Sequence, residues 1–202
     1  MAMGRPRAFN KDEALDRAMN VFWRKGYEGA SLADLTKAMG IKPPSLYAAF
    51  GNKEGLLRAA LDRYGQLRAE FMRHVLDAPT ARETASRILL GTADKLTDPE
   101  NPPGCLLVQA GLACGSGSEA IPPELACRRN ADEDALRQRF ERAMEEGDLP
   151  ATSNPAVMAS FLSTVLQGMG VQAAAGASRE DLRNIARLAI DIFPTGAISA
   201  AS

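Results

Sequence analysis

The sequence is poor in aromatics, at 5% of 202 residues, and holds one tryptophan, one histidine and three cysteines. Sheets favour aromatic and β-branched side chains, so their scarcity points to packed amphipathic helices. His74 with the widely spaced Cys105, Cys114 and Cys127 supports neither a tetrahedral zinc site nor a disulfide framework. No metal and no cofactor is expected, and odd, scattered cysteines fit a reducing compartment. No apolar run reaches the roughly 18 residues needed to cross a bilayer, and the N-terminus lacks the apolar core of a signal peptide. A cytoplasmic chain with no membrane partner is the expectation. A phosphate-binding glycine loop, clustered metal ligands and a serine, histidine and acid set are also missing, so no catalytic residue is assigned and no enzyme is expected.

What is present is a 46% hydrophobic, 24% charged chain whose net charge of -1 conceals an uneven distribution. Residues 1–53 carry nine Lys and Arg against five Asp and Glu, a balance of +4, and residues 54–202 carry fifteen against twenty, a balance of -5. The basic end is the one suited to a polyanion.

Apolar residues recur at helical spacing throughout. Ala14, Leu15, Ala18, Met19, Phe22 and Trp23 form one face of a first helix, capped by Asn10 with Glu13 and ended by Gly26. Trp23 on that face reads as a core residue. Ser31 with Asp34 opens a second helix that Gly40 stops, and Pro43 and Pro44 occupy the first turn of a third, where missing amide donors cost nothing. Two short helices across Gly40 and Ile41 make a helix-turn-helix. Asn52 caps a long fourth helix to the break near Pro79, Thr80 with Glu83 opens a fifth, Pro102-Pro103-Gly104 precedes a sixth beginning at Cys105, Pro122 and Pro123 start a seventh, Pro155 an eighth, and Ser178 with Asp181 a ninth. The expected fold is all-α, with a three-helix helix-turn-helix domain over residues 1–53 and a larger helical domain over 54–202.

At residues 4–57 the strings G-R-P-R-A-F-N, G-Y-E-G-A-S-L, A-M-G-I-K-P-P-S-L-Y-A-A-F and G-N-K-E-G-L-L resemble the DNA-binding domain of TetR-family transcriptional regulators. The resemblance covers about a quarter of the chain. It implies a homeodomain-like DNA-binding module, nine or ten helices, a homodimer built as a four-helix bundle of the last two helices, and a cavity among the middle helices for a small-molecule effector. Double-stranded operator DNA and a second copy of the chain are then the expected partners, and repression the expected output. A helical adaptor without DNA binding explains the C-terminal periodicity equally well but leaves the basic N-terminal module without a purpose.

In the third helix, Lys42, Pro43, Pro44 and Ser45 would face base edges in the major groove; only Lys42 and Ser45 can donate hydrogen bonds there. Tyr47 corresponds to the family's phosphate-contacting tyrosine, although a half-buried core aromatic is the plainer reading. Lys53 opens the fourth helix, whose positive end favours phosphate, and Ser31 can add a backbone contact. Arg5 and Arg7 form a basic arm that follows the backbone or enters a minor groove, unless it is a solvated tail. Phe71, Met72 and Val75 of the fourth helix are placed at the cavity. Cys105 follows Pro-Pro-Gly at a helix N-terminus, where the dipole raises thiol reactivity. Its G-C-L-L sequence is similar to that of TetR regulators that sense electrophiles or oxidants through a cysteine, against the alternative of a buried, inert thiol. Phe161, Leu162, Val165, Gly168, Leu188 and Ile192 are the dimer-interface residues, a pattern that an ordinary monomer core would share.

Overall fold

The computed structural model describes residues 10–112 and 119–194, which form helices joined by short loops, with no strand among the described residues. The helices are α1 (Lys11–Gly29), α2 (Leu32–Met39), α3 (Pro43–Phe50), α4 (Lys53–Leu76), α5 (Ala81–Leu96), α6 (Leu106–Leu112), α7 (Ile121–Glu145), α8 (Pro155–Ala174) and α9 (Arg179–Asp191). Their starts follow from local chemistry. The side chains of Asn10, Ser31, Asn52, Thr80, Asn154 and Ser178 each accept from an amide of the following turn, and Ser31–Asp34 and Ser178–Asp181 form reciprocal capping boxes. Gly40 closes α2 in the left-handed conformation, at φ 68°. Gly26, also at φ 68° but with ψ -179°, breaks α1 without ending it, so one more turn carries Tyr27 to the helix end.

Two clusters of buried side chains make the core. The first joins α1, α2, α3 and the first half of α4 to Leu106, Leu107 and Ala110 of α6 and to Ile121 and Leu125 of α7. The second joins Val75 at the end of α4 to α5, α7, α8 and α9. Residue 53 marks the start of α4, yet buried side chains do not divide there, because α1 packs directly on α6.

α4 runs between both clusters and is tied to its neighbours by charge. Arg63 pairs with Asp16 of α1 at 2.9 Å, and Arg58, Asp62 and Arg68 pair with Glu124, Arg128 and Asp132 along α7 at 2.8, 2.8 and 3.1 Å. Exposed pairs of this kind contribute at most about 1 kcal/mol each, so they set register more than stability. At the far end the buried Arg139 donates from Nε and Nη2 to the Ala78 carbonyl at 3.2 and 2.7 Å, which fixes the turn between α4 and α5.

Among the described helices α8 stands apart in combined length and hydropathy. By length and mean hydropathy its 20 residues are apolar enough to cross a bilayer. Ser160, Ser163, Thr164 and Gln167 interrupt every continuous apolar run, which hid this property from a search for unbroken stretches. In the fold, Leu162, Met169 and Ala173 of α8 are buried in the second cluster.

Candidate nucleic-acid interface and adjoining cavity

α3 is held by one side and presents the other. Leu46 is wholly buried in the first cluster, whereas Lys42, Pro43 and Pro44 are exposed, Tyr47 is 46% exposed and Ser45 is half-buried. The turn before α3 is closed by Gly40 and Ile41 amides donating to the Lys37 and Thr36 carbonyls at 3.2 and 3.1 Å. After α3, the Gly51 amide donates to the Tyr47 carbonyl at 2.9 Å, and Asn52 accepts from Gly55 at 2.7 Å to start α4. This tight exit needs a glycine at position 55, because a Cβ there would lie 2.1 Å from the Phe50 carbonyl oxygen, a backbone atom. Gly55→Ala should therefore cost about 1–3 kcal/mol through displaced backbone; an unchanged thermal denaturation midpoint would disprove the clash.

Lys53 sits at the first position of α4 with Nζ 4.4 Å from the centre of the Tyr27 ring. Among the described residues Lys37, Lys42 and Lys53 join no ion pair. Lys37, in the last turn of α2, was not picked out by sequence; its place two residues before the helix end is the signal that could have found it. Ser31 is committed elsewhere. Its amide and hydroxyl both donate to the Asp34 carboxylate, at 3.2 and 2.7 Å. The Lys25 ammonium, followed by these Ser31 bonds, lowers the Asp34 pKa to about 2. The Lys25 ammonium offsets the Asp34 charge beside Ser31, and the cap occupies the Ser31 donors. Arg5 and Arg7 lie outside the described residues.

Behind this module a cavity of about 350 Å³ opens between α1, α4, α5, α6, α7 and α8. Phe71, Met72 and Cys105 line it as expected; Val75 does not, being wholly buried in the second cluster one turn further along α4. Sequence reasoning missed Met19 and Trp23, Tyr64, Arg68 and Lys95, all of which line it. Cys105 immediately precedes α6, its carbonyl accepting from the Val108 and Gln109 amides at 3.1 and 2.9 Å. Its Sγ lies 3.7 Å from the Tyr64 hydroxyl. Burial, then the neighbouring Cys105, pushes the Tyr64 phenol far above its usual range, so it stays protonated. Cys127 is exposed on α7, and Cys114 lies outside the described residues.

The six residues expected at a dimer interface separate into two groups. Leu188 of α9 and Ile192, the residue that caps its C-terminus, are 71% and 65% exposed, and a Cβ on Gly168 of α8 would meet nothing within 4 Å. Phe161 and Val165 are half-buried, and Leu162 is wholly buried within its own chain. Val157 and Val171 on α8 and Ile185 on α9 extend the exposed apolar face.

The model of the family described as "Bacterial regulatory proteins, tetR family" matches residues 14–60. Over 95% of this chain and 92% of the relative, identity is 37% to the HTH-type transcriptional repressor ComR of Escherichia coli K12. The HTH-type transcriptional repressor BdcR of the same organism is 29% identical over 95% of this chain and 93% of its own. A cysteine mutant of the TetR family transcriptional regulator CifR, solved in complex with 26-bp double-strand operator DNA, is 47% identical, with a TM-score of 0.90 over 94% of this chain and 100% of that one. These relatives are transcriptional regulators, not enzymes. An outward α3 on a basic module, with similarity to TetR regulators that spans 94–95% of the chain, places it in the TetR family of bacterial regulatory proteins, as a DNA-binding transcriptional regulator.

Proposed function

We propose that the chain is a repressor that binds a palindromic operator as a homodimer and releases it when the cavity is filled by a small-molecule effector or when Cys105 is modified. The observation that carries this reading is α3 turned outward on Leu46, with Lys42, Pro43, Pro44 and Tyr47 facing away from the core and, among the described residues, Lys37, Lys42 and Lys53 in no ion pair. Two such helices about 34 Å apart fit successive major grooves of one duplex face. Lys42 and Ser45 read bases, the prolines add apolar contact, and Tyr47 and Lys53 hold phosphates. Arg5 and Arg7 add charge to the arm. Residues 54–202 serve as the sensing and dimerising part, and the chain works in the cytoplasm, where its operator is.

The reading of Cys105 rests on its placement in the wall of a cavity, beside a buried phenol, rather than inside a core cluster alone. That the operator-bound CifR structure, at 47% identity, is of a cysteine mutant is consistent with it.

Footprinting on the DNA upstream of the chain's own gene, with and without N-ethylmaleimide, tests both parts. A protected palindrome that is lost on alkylation is expected, and Cys105→Ser should protect the same bases while resisting the reagent. Absence of a two-fold symmetric footprint would refute the operator reading, and release of Cys105→Ser as complete as that of the wild type would refute the thiol reading.

A further inference from the structure

We propose that Trp23 belongs to both sites at once, as a wall of the cavity and as the bolt that ties α1 to the residue before Cys105, so that an occupant acts on the DNA-binding module through α1 as well as through α4. The inference rests on the reading of Cys105 and its cavity as the sensor.

Trp23 is buried, yet part of it faces the cavity. Its indole Nε1 donates to the Gly104 carbonyl at 3.1 Å, a buried bond between residues 81 positions apart. Its ring meets that of Tyr64 edge-on, with centroids 5.1 Å apart at 80°, and the Tyr64 hydroxyl reaches Cys105 Sγ. Trp23, Tyr64, Gly104 and Cys105 thus form a closed set of contacts between α1, α4 and the start of α6.

Gly104 has no room to retreat. Its amide donates to Leu96 at the end of α5, its φ is +90°, and a Cβ on it would lie 2.9 Å from the Gly170 carbonyl oxygen and 3.1 Å from the Ala174 Cβ. α8 closes off Cys105 in the same way, since a Cβ on Gly170 would fall 3.3 Å from the Cys105 Cβ. Atoms added at Sγ would enter the cavity that Cys105 shares with Trp23 and Tyr64 and crowd those two rings. Displacing the indole leaves its N–H buried without an acceptor unless α1 moves with it, which gives the two arrangements of the module different energies in the presence of an occupant. The path onward is short. Phe22, next to Trp23, stacks on Tyr27 at 6.3 Å and 14°, and the Tyr27 ring carries the Lys53 ammonium.

The test uses the full chain with Cys114→Ser and Cys127→Ser, so that N-ethylmaleimide, across whose double bond a thiol adds its sulfur and proton, reports on Cys105. Operator affinity is measured before and after alkylation in this chain and in one that also carries Trp23→Phe, which keeps the ring and removes the N–H. Alkylation should weaken operator binding at least tenfold less in Trp23→Phe than in the parent, because the contact that the adduct breaks is already gone. Equal weakening in both would overturn the bolt while leaving the role of Cys105 intact, and a parent whose operator affinity ignores the adduct would overturn both. Trp23 is the sole tryptophan, so the parent's emission is a second measurement: it should shift on alkylation and stay fixed when Cys105→Ser is treated identically. Unchanged emission in the parent overturns the inference even if Trp23→Phe does not fold.

Discussion

Replacing Leu188 and Ile192 together by glutamate should convert the protein from dimer to monomer and weaken operator binding by at least a hundredfold, with each chain still folded. The two side chains are 71% and 65% exposed, so in the isolated chain glutamate at either place meets water and disturbs little. In a dimer packed through α8 and α9 the same two positions would lie at the seam. Four carboxylates, two from each protomer, would then be desolvated without partners, at several kcal/mol apiece. Splitting the dimer also removes the gain of a tethered second half-site, which raises apparent affinity by about 10²–10⁴. Sedimentation and an operator titration on one sample check both halves of the prediction. A double variant that remains dimeric would place the interface elsewhere.

That these two residues and not Leu162 face outward could not be read from spacing. All three recur at helical intervals with other apolar residues, and periodicity gives the angle between side chains on one helix without saying which angle meets a neighbour. The same limit explains Val75, one turn beyond Phe71 and Met72 on α4, which falls between α5 and α7 once the helices are assembled and leaves the cavity wall to residues nearer the DNA-binding module. Trp23 was legible as an apolar-face residue of α1, but its acceptor is a carbonyl 81 residues away, brought to it only when α6 packs on α1. Local chemistry was the readable part. Asn10, Ser31, Asn52, Thr80 and Ser178 cap the helices that their positions announce, and Pro43 and Pro155 stand in first turns. Caps depend on three or four consecutive residues, whereas cavities and faces depend on contacts between distant ones.

Lys53→Ala and Tyr47→Phe should both weaken operator binding and differ in how salt affects the loss. Lys53 joins no ion pair among the described residues and stands at the positive end of α4, so against a phosphate it displaces a condensed counterion. A dimer holds two copies, and removing both should lower the slope of log K against log salt by about 1.8, at roughly 0.9 for each phosphate released. At about 1 kcal/mol per contact the dissociation constant should rise about thirtyfold near physiological salt. The intramolecular cost is modest, because the half-buried Lys53 ammonium over the Tyr27 ring contributes about 0.5–2 kcal/mol. Tyr47→Phe deletes a neutral donor from a side chain that is already 46% exposed, so affinity should fall several-fold with the salt slope unchanged. Titrations at four or five salt concentrations separate the two. A Lys53→Ala slope equal to that of the wild type would remove Lys53 from the phosphate contacts, and undiminished affinity in Tyr47→Phe would return Tyr47 to an ordinary surface aromatic.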